Sequence, residues 1–438
     1  MPECCGVSSV NYGSCNGNQH ILSSVSETSC SDSVRLTDRI SIGVLTSVIR
    51  RDLVEEVIAH TQSREQRARL LPTHVVVYYV IALALFFGEG YEEVMRSLVG
   101  GLRFLRNWSD SWKVPTTSAI SQARVRIGEK PLEELFRRVA VPLARPGSRG
   151  AWFRRYRVMA IDGVIIDVPD TPENNEQFEH TQTGRGPSAF PVARVVGLGE
   201  CGTHAIVSAA IGTWSTGERR LSHKLLGDFE SDMLILADRG FYSYELWKDA
   251  LETGAALVFR ASANMKFPVL ELFPDGSYRS VLLHPKIQST TRKKARKVGP
   301  GPYGDASVLE AAGVSCRVVE YSVDRDNPDE VICLITSILD PDEAPSYELA
   351  ALYSERWEFE LSLKEIEISQ IGHNRVLRSK TPQMVRQEIW GILLAHYAIR
   401  HLMHDAADTA DIDPDRLSFI RSLRLVRRQT TDQAGFSP

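Results

Sequence analysis

Between Leu36 and Leu143 apolar residues recur at threes and fours, which predicts helix through most of this stretch. The spacing runs through SIGVLTSVIRRDLVEEVIAH and again through PLEELFRRVAVPLA. A continuous apolar run, VVVYYVIALALFF, starts at Val75. It is too short to span a bilayer and is followed at once by Gly88-Glu89-Gly90, so a buried helix is expected and no membrane segment. In WKVPTTSAISQARVRIG, Ser118 is the expected helix cap. Arg124 and Arg126 follow one or two turns on, at positions expected to face outward.

The period changes near Arg154. RYRVMAIDGVIIDVPD holds two apolar runs that read as strand, with an acid closing the first. ARVVGLG and HAIVSAAIGTW read as two more strands joined by the turn Glu200-Cys201-Gly202-Thr203. A helix through GERRLSHKLLGDFE, the strand MLILA, a helix from about Tyr242 and the strand AALVFRAS complete a mixed sheet with helices packed on it. The pattern weakens from Ala263 to about Asp329, where a mostly β insertion is expected. EVICLITS returns to strand, and helices are expected over 345–370 and 381–404. The expected organisation is a disordered tail at 1–34, a helical module at 35–150, a mixed α/β domain at 151–405 with its insertion at 263–329, and a basic tail at 406–438.

Composition narrows this only slightly. The chain has 438 residues, 43% of them apolar and 24% charged, which suits two or three globular domains. Four of the seven cysteines fall in the first thirty residues, with no CxxC or Cys/His zinc spacing. MPECCGVSS has neither a basic flank nor an apolar core, so no signal peptide and a reduced, cytoplasmic setting are expected. The formal charge of −4 hides local patches. Residues 35–150 carry about six more Arg/Lys than Asp/Glu. TTRKKARK, with Arg292, Lys293 and Lys294, and RSLRLVRRQ from Arg421 are two further basic runs. Phosphate binding depends on local contacts rather than on the total charge, so DNA binding stays open, as does a plain structural role for the helical module.

The candidate chemistry is acidic. Asp162 follows VMAI, and Asp238 follows MLILA. An acid at the end of a buried strand is held by the sheet and exposed by the loop. A third carboxylate would complete a site for hard divalent cations, and a metal pair about 3.5–4 Å apart serves phosphodiester chemistry. Glu360, in YSERWEFELSLKEIE, is the best candidate, because it shares a helix face with Tyr353 and Arg356. Glu355, Glu358, Glu365 and Glu367 are rivals by residue type. Trp214 and Trp357 are expected to pack rather than to stack on bases. Arg260, closing the AALVF strand, is a modest candidate for a phosphate contact.

Three segments together, IDGVIIDVPDTPEN, LADRGFYSYELW and YSERWEFE, resemble the DDE transposases of the insertion-sequence-four family. The likeness runs from about Leu36 to Arg428, through VLRSKTPQMVRQEIW and LSFIRSLRLVRR. Tyr353, Arg356 and Glu360 meet the family's Tyr-two-Arg-three-Glu signature. The resemblance implies an α/β, ribonuclease-H-like catalytic domain with a β-rich insertion, behind an all-helical N-terminal, DNA-binding domain. It implies two Mg²⁺ ions, with Mn²⁺ able to substitute, on Asp162, Asp238 and Glu360. Tyr353 and Arg356 would contact DNA phosphate, with Lys364, Arg239, Arg124, Arg126, Arg292, Lys293 and Lys294 as further DNA-binding candidates. The chain departs from the family at Glu367, where a Lys is usual.

The implied activity is cleavage of double-stranded DNA at the inverted repeats ending a bacterial insertion element, followed by joining to target DNA. A homodimer bridging two ends, working at the nucleoid, goes with it. A metal-dependent nuclease without strand transfer and a DNA-binding protein that has lost catalysis are the alternatives.

Overall fold

In this computed structural model residues 42–431 are described, apart from 68, 101–113, 185, 263, 300–302, 323–330 and 374 and the side chains of 100 and 183. The expected N-terminal tail lies outside the described residues, as do 432–438. Helices α1 (Arg51–His60), α2 (Thr73–Leu85), α3 (Tyr91–Gly100), α4 (Thr117–Ile127) and α5 (Lys130–Val139) come first. Strands β1 (Tyr156–Asp167), β2 (Gly186–Glu200) and β3 (Ile206–Thr213) follow, then the short α6 (Glu218–Ser222). Next come β4 (Met233–Ala237), α7 (Tyr244–Glu252), β5 (Ala256–Arg260), β6 (Tyr278–Leu283), α8 (Pro285–Val298), β7 (Gly313–Ser322) and β8 (Val331–Thr336). Helices α9 (Ser346–Tyr353) and α10 (Arg356–Lys364) run into a π-helical stretch, Glu365–Gly372, and α11 (Pro382–Ala410) and α12 (Phe419–Thr431) close the chain.

The strands build one sheet in the order β3-β2-β1-β4-β5-β8-β7-β6, with short strands at its margins. Among the described residues only the β1–β4 and β4–β5 pairs are parallel, and these two junctions lie in the interior of the sheet. MLILA is buried at every position, as expected of a central parallel strand. The expected β insertion is corrected in part. Its strand β7 extends the main sheet by pairing onto β8, β6 pairs onto β7, and its basic run folds as the fourteen-residue helix α8.

Every residue of α2 is buried, so a helix apolar on all sides becomes the axis around which the others pack. α11 crosses it where Gly391 meets Val80. A Cβ on Gly391 would stand 2.8 Å from Val80 Cγ1 and 2.9 Å from its carbonyl oxygen, so only glycine allows this approach. Thr116, not Ser118, caps α4, accepting from the Ala119 amide at 3.3 Å, so the helix starts two residues earlier than expected, directly after the extended Thr116. The expected C-terminal tail contains α12, which buries Phe419, Leu423, Val426 and Thr430 while its arginines mostly face solvent. Among the described residues no helix is long and apolar enough to cross a membrane.

Candidate active site

The centre of the sheet brings the two aspartates together. Ile161 on β1 pairs with Ala237 on β4, so Asp162 and Asp238 each stand one residue beyond a matched pair on adjacent parallel strands. Neighbouring strands lie about 4.8 Å apart, which sets the scale of the site. Asp162 does not end its strand as expected. Gly163 pairs with Val196, and β1 continues to Asp167, so Asp162 is held by ladder on both sides. The Gly163 amide donates to Asp162 Oδ1 at 2.8 Å. Asp238 comes directly after β4, at the mouth of the loop.

Helix α10 supplies the third acid, and glycines in β2 set its height above the sheet. A Cβ on Gly199 would fall 2.0 Å from the Phe359 ring, and one on Gly197 would fall 3.2 Å from it. Phe359 is fully buried in that notch, which turns Arg356 and Glu360 toward β1. Tyr353 closes α9 and Arg356 opens α10, with Ser354 and Glu355 between them still in helical conformation. The expected shared face therefore survives a two-residue break.

The side chains meet there. Tyr353 donates its hydroxyl to Asp238 Oδ1 at 3.3 Å. Arg356 Nη1 donates to Asp162 Oδ2 at 3.1 Å, and its Nη2 lies 3.7 Å from Glu360 Oε2. Lys364 donates to Glu360 Oε1 at 2.9 Å, and Arg260 Nη1 stands 3.9 Å from Asp238 Oδ1. Burial pushes the Asp162 carboxyl up, opposed by the Gly163 amide and Arg356 and reinforced by the charges of Glu360 and Glu218. Burial likewise raises the Tyr353 hydroxyl, so it serves as a neutral donor. Asp162 and Glu360 are linked through Arg356, and Asp238 stands at the next strand end. Carboxylate oxygens are the donor type a hard divalent cation takes. Among the described residues the group already within ion-holding distance is His204, Glu358 and Asp415.

The rival acids are engaged elsewhere or stand apart. Glu365 pairs with Arg400 and His396, and Glu358 and Asp415 flank His204 Nε2 at 3.2 and 2.8 Å. Glu355 is half-buried, and its carboxyl is raised by burial and by the charges of Glu358, Asp415 and Asp413. Glu367 is exposed, and among the described residues it pairs with nothing. The π-helical stretch begins just before it, and the wider turns carry it away from the face set by Arg356 and Glu360.

The basic candidates divide. Arg239, Arg126, Lys293 and Lys294 are exposed, while Arg292 is half-buried and donates to the Lys266 carbonyl oxygen at 2.9 Å. Arg124 must be corrected, because its side chain is wholly buried. It donates to Gln387 at 2.8 Å, to Ser379 at 2.9 Å and to Tyr91 at 2.6 Å, and so joins α4 to α11 with no face left for a phosphate. Trp357 is 54% exposed, with the Arg356 guanidinium stacked 4.9 Å from its ring centre, against the expectation that it packs. Glu218, at the start of α6, was not anticipated. A lone acid in a polar stretch gives no periodic signal.

Two family models match the chain. Residues 39–137 match the model described as insertion element 4 transposase N-terminal, and residues 153–398 match that described as transposase DDE domain. The transposase InsG of insertion sequence element IS4, from Escherichia coli (strain K12), is 28% identical over 88% of this chain and 82% of its own length. The putative transposase InsZ of the same organism is 28% identical over 41% of this chain and 58% of its own. A piggyBac transposase synaptic complex with hairpin DNA aligns over 89% of this chain and 80% of that one, at 11% identity and a TM-score of 0.44, too slight to bear on the fold. With a DDE-domain match spanning most of the sheet and α11, the chain belongs to the IS4 family of DDE transposases.

Proposed function

We propose that this chain cuts double-stranded DNA at the terminal inverted repeats of its element and joins the freed ends to target DNA. The observation that carries this reading is the convergence of Asp162, Asp238 and Glu360, from two strands and a helix, around Arg356 and Tyr353. Asp162, Asp238 and Glu360 would hold two Mg²⁺ ions, or Mn²⁺ in their place. When bound, such ions raise the acidity of an attacking water or hydroxyl and stabilise the leaving oxygen.

The chain's own residues orient that chemistry. Tyr353 fixes the Asp238 carboxylate, and the Asp162 carboxylate is fixed by its own strand and by the Gly163 amide. Arg356 neutralises the Asp162–Glu360 pair and, with Lys364 and the exposed Arg239, offers donors to DNA phosphates. Each reaction is an in-line displacement at phosphorus. Water first attacks phosphorus and breaks the P–O3′ bond, and the freed 3′-hydroxyl then attacks a second phosphodiester, forming a new P–O bond as that strand's own 3′-oxygen leaves and is protonated.

The sheet order β3-β2-β1-β4-β5, antiparallel and then parallel, supports a ribonuclease-H-like catalytic domain over 151–405. The spans of the two family matches support a boundary between it and the helical module at 35–150. The exposed Lys293 and Lys294 on α8 suit DNA backbone contact, as does Arg126 on α4. Synapsis of two ends calls for a homodimer on DNA, and the substrate places the work at the nucleoid in the cytoplasm.

The test is Asp238→Asn with the element's own ends as substrate. Mg²⁺-dependent cleavage should be abolished while DNA binding is kept. Cleavage at the original rate would remove the DDE assignment. A pre-cut end that gives no joined product would leave a nuclease without strand transfer.

A further inference from the structure

We propose that His204, Glu358 and Asp415 form a second metal site, apart from the DDE centre, that takes a borderline divalent transition metal such as Zn²⁺. His204 lies in the turn between β2 and β3, and Glu358 lies on α10. Asp415 belongs to the single turn Pro414–Arg416 that joins α11 to α12. One ligand atom from each residue lies within 4.8 Å of the other two. His204 Nε2 stands 3.2 Å from Glu358 Oε2 and 2.8 Å from Asp415 Oδ1. Zinc bonds of about 2.0–2.2 Å put neighbouring ligand atoms roughly 3 Å apart, so these spacings suit a coordination shell.

The histidine carries more than proximity does. It is only 3% exposed, and both ring nitrogens are buried with no hydrogen-bond partner among the described residues. The two carboxylate oxygens are near Nε2, yet neither is placed to accept a hydrogen bond from it. An imidazolium bridging the two acids would therefore bury two N–H donors and satisfy neither. A metal on Nε2 uses the lone pair of the neutral ring and leaves a single N–H. Burial disfavours a charged imidazole, but Asp415 and Glu358 outweigh it and raise the group above its ordinary value. The acid pair thus favours a cation at this point.

Local structure holds the donors in place and leaves the site open. His204 adopts φ 60°, a left-handed conformation uncommon outside glycine, and its amide donates to the Glu200 carbonyl oxygen at 2.9 Å. The Asp415 amide donates to Asp413 Oδ1 at 3.0 Å, which fixes the turn. Among the described residues neither Glu358 nor Asp415 pairs with a lysine or arginine. Glu355, raised by burial and by the charges of both, adds to the negative excess. The two carboxylates border a cleft of 380 Å³, through which an ion can enter and keep water as a further ligand. Imidazole beside carboxylates suits Zn²⁺ better than Mg²⁺, which takes oxygen ligands. Glu358 is two residues from Glu360 and so lies on the other side of α10. A bound ion braces that helix against the β2–β3 turn, away from the catalytic face.

The experiment titrates metal-free, full-length protein with Co²⁺, a coloured stand-in for Zn²⁺, and follows its visible absorption. His204→Asn keeps a residue that tolerates the left-handed backbone. His204→Asn and Asp415→Asn should each weaken binding roughly tenfold or more. Asp238→Asn, which alters the catalytic centre, should leave this ion bound. Zn²⁺ should displace Co²⁺ and raise the melting temperature of the original chain but of neither His204→Asn nor Asp415→Asn. Circular dichroism should show all three variants folded. Binding unchanged in both His204→Asn and Asp415→Asn overturns the site, as does a spectrum showing only thiolate ligands, which places the ion on cysteines. Binding lost in Asp238→Asn but kept in His204→Asn assigns the ion to the catalytic centre and also overturns it. If no Co²⁺ binds, the three residues are a buried ion-pair cluster and nothing more.

Discussion

The guanidinium of Arg356 lies 3.1 Å from the carboxylate of Asp162, with only 9% of the arginine side chain exposed. The same group reaches Glu360, so one cation holds together two acids that would otherwise repel each other. Arg356→Gln should destabilise the metal-free protein by about 3 kcal/mol, as expected when one member of a buried pair is removed. Mg²⁺ should then raise the melting temperature more in the variant than in the original chain, because the two carboxylates gain their only shared counter-charge. Equal Mg²⁺-induced shifts in the two proteins would contradict this account.

Arg124 is a structural cation rather than a DNA contact. Its partners Gln387, Ser379 and Tyr91 are neutral and mostly buried, and none of them can exchange it for a phosphate without unfolding the α4–α11 junction. Arg124→Met should lower stability by roughly 2–3 kcal/mol, the cost of hydrogen bonds to a charged group. The salt dependence of DNA binding should be unchanged. Replacing Lys293 and Lys294 with Ala should do the reverse, reducing the slope of log K against log salt by about 0.9 for each phosphate no longer neutralised. Titrations at several salt concentrations separate the two roles.

Gly199 sets how closely α10 approaches the sheet. Gly199→Ala forces the Phe359 ring out of its notch, since the new methyl would fall 2.0 Å from the ring. Overpacking of this kind costs about 1–3 kcal/mol. It should also lower cleavage, because Arg356 and Glu360 ride on the same helix. Adding Phe359→Leu should restore stability in part, and a double variant no more stable than Gly199→Ala would argue against this packing relationship.

The periodic part of this arrangement was legible in the sequence. MLILA and VMAI read as buried strands of one sheet with Asp162 and Asp238 at their ends, and the helical spacing of Tyr353, Arg356 and Glu360 made one face of them; that the two strands are neighbours came from the fold. What failed to show depends on distant partners. Arg124 has an exposed-looking place in a polar helix, and its burial is decided by Gln387, 263 residues away. Asp162 reads as the end of its strand, yet ladder pairing of Gly163 with Val196 carries the strand past it. Glu218 has no pattern of its own, and only the fold brings it beside the aspartates.

Glu365 should give the acid limb of stability. Burial alone would raise its carboxyl, but the His396 hydrogen bond and the charge of Arg400 hold it below the ordinary glutamate value. A carboxyl depressed in the folded state contributes stability that is present above the unfolded value of 4.5 and is lost as pH falls through the folded value. Burial holds the His396 imidazole below 6.5 despite Glu365, so its protonation also favours unfolding as pH falls. Urea midpoints measured from pH 7 downward should fall in both ranges. Glu365→Gln should lower stability at pH 7 by about 3 kcal/mol, by leaving Arg400 buried without its partner, and should flatten the limb below pH 4.5. An unchanged acid limb in the variant would assign that limb to another group.

Glu367 departs from the family pattern, and its position limits the consequence. It is exposed beyond the start of the π-helical stretch, while Lys364 already reaches Glu360 from the last turn of α10. Glu367→Lys should therefore leave Mn²⁺ binding and the rate of joining a pre-cut end unchanged at saturating DNA. A lysine there acts only through the field it adds, so DNA affinity should rise modestly at low salt. That gain should shrink as ionic strength approaches 0.15 M, where the Debye length is about 8 Å. Lys364→Ala should instead slow joining at every salt concentration, because Glu360 loses its 2.9 Å partner. If Glu367→Lys speeds joining at saturating DNA, the residue acts at the reacting phosphate after all, and the helical turn around it must be tighter when DNA is bound.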